Sequence, residues 1–136
     1  MKYLKTFNEG LEKSDNIMKV VHVDSDNIYL DNGRKLFKLT HYHESDCCEH
    51  HYLDLTHLGL DDFEDLEFDL SGDDFFERIS GYGIALKPIH GHPVRIPGYG
   101  SNNGYYIHNL SLQLIDMETD DTIKSWDISD CQVVTD

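Results

Sequence analysis

The sequence predicts a mainly β domain of the α+β kind, a curled antiparallel sheet or small barrel with one or two short helices. Three observations predict it. Most apolar segments alternate in steps of two and are rich in β-branched and aromatic residues; Gly, Pro and Asn turn signals separate them at even intervals; and 136 residues suit one core. Residues 1–136 are therefore expected to form a single domain.

Each element follows from local chemistry. Leu4, Phe7 and Leu11 recur at intervals of three and four, which predicts a short helix weakened by Gly10. From Ile17 the period changes to two. Ile17–Val23, Asn27–Leu30 and Lys35–Tyr42 read as a three-stranded antiparallel meander, with Asn32-Gly33 supplying the positive φ angles of a two-residue type I′ turn. His50–Leu55 reads as a strand ending near His57 and Gly59. Asp61-Asp62-Phe63-Glu64 looks like a short helix start, an aspartate cap followed three residues later by a glutamate. Leu66–Leu70 alternates strictly, as a half-buried strand does, and Ser71–Asp74 is a turn. Four further strands are expected: Arg78–Lys87, Pro93–Ile96, Tyr105–Ile115 and Thr122–Trp126.

Charge narrows the function classes. The formal net charge is −15, with +1 in residues 1–40, −12 in residues 41–80 and −4 in residues 81–136. Such a surface repels phosphate backbones, so direct nucleic-acid binding is not expected and a basic partner is. No apolar run approaches the roughly 20 residues that cross a bilayer, and the first residues do not form a secretory signal, so a cytoplasmic protein is expected. Cysteines number three, two of them adjacent, which suits reduced thiols rather than a disulfide framework.

Two stretches carry a resemblance. His43-Glu44-Ser45-Asp46-Cys47-Cys48-Glu49-His50-His51-Tyr52 follows a β-hairpin, and Asn102-Asn103-Gly104-Tyr105-Tyr106 comes later. Together they resemble an uncharacterised domain family of phages and prophages, in which Asp-Cys-Cys-Glu follows a Tyr-His element and a later Asn-Gly-Tyr-Tyr starts a strand. The resemblance spans roughly residues 25–115. His50, His51 and the Gly-Tyr-Gly pairs depart from the family pattern. It implies a small accessory protein of a mobile element, acting in a bacterial host cell, and carries over no activity.

Three constellations could bear chemistry. His43, Cys47, Cys48, His50 and His51, with His41 and His57 nearby, supply nitrogen and sulfur ligands, and zinc would take four of them in a tetrahedron. The spacing matches no standard zinc module; the plain alternative is a buried thiol beside histidines on a wet sheet face. Cysteine catalysis is disfavoured because Asp46 and Glu49 flank the thiols and oppose thiolate formation.

The second constellation is acidic. Asp61, Asp62, Glu64, Asp65, Glu67, Asp69, Asp73, Asp74 and Glu77 place nine carboxylates in seventeen residues, more than capping requires. The first eight are the candidate surface for a basic host protein that the chain would inhibit. A solvated face over core residues is the plain alternative, and the spacing lacks the Ca²⁺ loop of an EF-hand. The third comprises Tyr82, Tyr99, Asn102, Asn103, Tyr105 and Tyr106 in glycine-rich loops, which could hold a nucleotide-like molecule between tyrosine faces. Tight turns with tyrosines at strand ends would explain the same residues. Non-enzymatic binding is the reading these features favour, with a small-ligand binder and a metal-binding enzyme as rivals.

Overall fold

Period-two alternation becomes strand wherever its apolar residues can face a common core. In the computed structural model, which describes residues 15–43, 50–101 and 110–135, the chain is mainly β with strongly curled antiparallel sheet. β1 (Ile17–Val23), β2 (Asn27–Asp31) and β3 (Leu36–Tyr42) form the expected antiparallel meander. β4 (His50–Leu53) and β5 (Glu67–Asp69) follow, then β6 (Phe76–Ile79), β7 (Gly83–Leu86) and β8 (Val94–Ser101). β9 (Ser111–Asp116), β10 (Thr122–Asp127) and β11 (Val133–Thr135) complete the described strands.

Six of these form one sheet in the order β10-β9-β3-β2-β1-β5. The second sheet is built around β8. Its first half pairs with β7, which pairs with β6, while Gly98–Ser101 lies between antiparallel β4 and parallel β11. Tyr99 is in register with both Tyr52 and Val133, so β4 and β11 occupy opposite edges of β8.

One buried cluster joins the sheets. Met18, Ile28, Leu30, Leu39, Leu112 and Leu114 enter it from the first, and Leu53, Ile84, Leu86, Val94 and Ile96 from the second. Each such side chain stabilises the fold by about 1.5–3 kcal/mol relative to exposure. Phe75, Phe76 and Trp126 close one end, with centroids 4.9 to 5.7 Å apart. The Trp126 indole N–H donates to Asp73 Oδ1 at 2.6 Å, which satisfies the one polar atom that the ring brings inward.

Several sequence expectations need correction. The turn between β2 and β3 lies at Asn32-Gly33, but it is not type I′, because Gly33 has φ 94° and neither Asn32 nor Arg34 has a positive φ. Asn32 Oδ1 instead accepts the amides of Arg34 and Lys35, so the asparagine acts through its side chain. The helix expected from Asp61 is a 3-10 turn over Leu60–Phe63, and Asp62 Oδ2 accepts the Gly59 N–H at 2.8 Å. The single strand expected over Arg78–Lys87 is two, β6 and β7, hinged at Gly81 with φ 73°. The strand expected over Pro93–Ile96 continues to Ser101, and β11 has no counterpart in the sequence reading. The helix expected around Leu4, Phe7 and Leu11 lies outside the described residues.

Candidate functional site

The histidine end of the molecule forms where β3 and β4 finish and start. Alternation along β4 turns His51 inward and His50 outward, so these two candidate ligands lie on opposite faces. His51 meets His43 edge-on, with ring centroids 5.6 Å apart. Its Nδ1 is 2.8 Å from Gln132 Oε1, and Gln132 Nε2 donates to the Ser129 carbonyl at 2.7 Å. That second bond fixes the amide, so Oε1 accepts, Nδ1 carries the proton and Nε2 is the basic nitrogen.

Gly100 makes this contact possible. A Cβ at that position would collide with Gln132 Oε1 and His51 Nδ1, so only glycine lets the bond pass over β8. Gly98 likewise makes room for the Cys131 carbonyl. These glycines admit protein, not ligand. Gln132 escaped sequence reasoning because it lies 81 residues from His51, and only the glycine at 100 hinted at a close approach.

Cys47 and Cys48 lie outside the described residues. Among the described residues no three His, Cys, Asp or Glu side chains converge as a metal centre requires. Cys131 is a buried free thiol, and burial pushes its pKa up, which makes it a poor nucleophile.

The tyrosines separate. Tyr99, expected in a loop, is in the middle of β8 and packs against Tyr52 across the strand pair, with centroids 5.8 Å apart. Both are substantially exposed, and Val133 extends the row on β11. Tyr82 sits in the β6–β7 turn, half-buried. Asn102, Asn103, Tyr105 and Tyr106 lie outside the described residues.

The acidic segment keeps its alternation in three dimensions. Phe63, Leu66, Phe68 and Leu70 are buried, while Asp61, Asp62, Glu64, Asp65, Glu67, Asp73 and Asp74 are exposed and Asp69 is half-buried. Three of the eight have internal duties. Asp62 holds Gly59, Asp69 accepts the Ser71 amide at 3.0 Å, and Asp73 holds Trp126. Asp65 takes a left-handed φ of 63°, a conformation that short polar side chains tolerate, and is exposed between buried Phe63 and Leu66. The ion pairs Arg34–Asp15 and Lys35–Asp116 engage none of the eight. Lys19, opposite Glu67 on β1, is the nearest cation in register.

The acidic face offers outward carboxylates, and the histidine end offers an oriented imidazole pair. Comparison with family models, curated proteins and solved structures finds no match to the chain.

Proposed function

We propose that the chain acts by binding rather than by catalysis, as an accessory protein of phage or mobile-element type that inhibits a basic host protein through its acidic surface. One observation carries this reading. The apolar residues of 61–70 fill the core while Asp61, Glu64, Asp65 and Glu67 stand in water and Asp62 is exposed with one oxygen on the Gly59 amide, so most of the charge of this segment is not needed by the fold. Like charges held this close repel one another and cost stability, and a basic surface would relieve that cost. Electrostatic steering would make association fast at low salt and slower as salt rises.

The test is capture from a bacterial lysate, identification by mass spectrometry, and kinetics with the recovered protein. Neutralising Asp61, Asp62, Asp65 and Glu67 to Asn or Gln is expected to leave the melting temperature unchanged or slightly higher while slowing association. Unchanged kinetics in a folded quadruple variant would remove the acidic surface from the mechanism.

A further inference from the structure

Clefts on this surface differ in the charge of their walls. One of about 310 Å³ has Asp61, Glu64 and Asp65 against Lys19 and is part of the acidic face. Another of about 240 Å³ sets Lys87 against Asp69 and Asp74. In a third, of about 310 Å³, Arg95 meets one carboxylate, Asp62, and the imidazoles of His57 and His92 add nitrogen hydrogen-bonding groups. That volume is at the small end for small-molecule sites.

Arg95 singles this cleft out. The sequence has three arginines and 26 acidic residues. Arg34 lies 3.6 Å from Asp15; Arg78 donates to the Asp127 carbonyl at 2.9 Å and covers the Phe76 ring at 5.1 Å. Arg95 has no ion pair with a described residue and projects from the outer face of β8 into the cleft. An uncommitted guanidinium presents a planar fork of donors matched to phosphate or carboxylate.

The carboxylates nearby are partly occupied. Asp62 Oδ2 accepts the Gly59 amide, and Asp54, which lies beside His57, is engaged by the amide and hydroxyl of Thr56. Tyr82, Pro93 and Leu58 supply apolar lining.

We propose that this cleft binds a small anion carrying a planar ring, with its phosphate or carboxylate on Arg95 and His92 and its ring against Tyr82 and Pro93. The site borders the acidic surface at Asp62 but does not rest on that reading, and salt separates the two. Salt screens the local attraction to Arg95 and also the long-range repulsion from a chain of net charge −15, and the two effects oppose, so this binding should depend on salt less steeply than capture of a basic protein.

Calorimetric titration with AMP, benzoate, adenosine and inorganic phosphate tests the proposal on the intact chain. AMP or benzoate is expected to saturate the site, and whichever binds more tightly identifies the acid group. Arg95→Gln, an exposed and fold-neutral change, should weaken binding by about tenfold or more. Tyr82→Leu should weaken it by about threefold to tenfold, and adenosine and phosphate alone should bind more weakly than AMP. Asp62→Asn should tighten the anion, by about twofold to fivefold, while slowing association with a basic protein. Absence of saturation by both ring anions up to about 10 mM, or an affinity unchanged in folded Arg95→Gln, would overturn the proposal.

Discussion

At the scale of single residues, two positions carry more than their sequence neighbours suggest. Gly100 is buried beneath the His51–Gln132 bond, so Gly100→Ala should cost about 2 kcal/mol or more in urea unfolding, the overpacking expected where neither partner can retreat. Gly72→Ala, at an open position, should stay within about 0.5 kcal/mol. His41 is the second. Its Nε2 is buried without a hydrogen-bond partner among the described residues. Burial holds the imidazole below its ordinary value of 6.5; Asp26 pulls the other way and His43 adds to the depression. The folded state keeps His41 neutral where the unfolded chain takes up a proton, so this contribution is complete above pH 6.5 and is lost as pH falls from there toward the folded value. Urea midpoints measured between pH 7.5 and 5.5 should fall, and His41→Leu should flatten that slope.

At the scale of elements, stability should follow the number of paired edges. β3 and β9 are seven and six residues long and each is paired on both sides, whereas β11 is a three-residue strand on the rim. Amide exchange is therefore expected to be slowest in β3 and β9 and fastest, among strands, in β11. Equal protection in β11 and β3 would contradict the pairing order. The same contrast explains what could be read from sequence. The β1–β3 meander and β5 were legible because alternation and turns are local signals. β6 and β7 read as one strand in the sequence because Gly81 marks a reversal only when Ile79 has a partner in Gly83. β8 ends early in the sequence pattern because Pro97, Gly98 and Gly100 read as a loop; the glycines belong in a strand for reasons that sit on Cys131 and Gln132.

At the scale of the whole molecule, the mainly β class was legible and the arrangement of the strands was not, since the pairing of β3 with β9 leaves no mark in either segment. The candidate sites divide the same way. The outward direction of the acidic residues follows from alternation, which a sequence displays. The cleft at Arg95 joins residues 57 to 62 with residues 82 and 92 to 95, and no local pattern announces that meeting. The β3–β9 pairing also governs how the chain can be born. Phe37 meets Asp116 in the middle of the six-stranded sheet, so a ribosome must deliver most of the protein before that sheet can close. Until then the first meander is a marginal structure with one naked edge, exposed to chaperones and to other nascent chains. Its self-repelling downstream acidic stretch would hold such half-made copies apart.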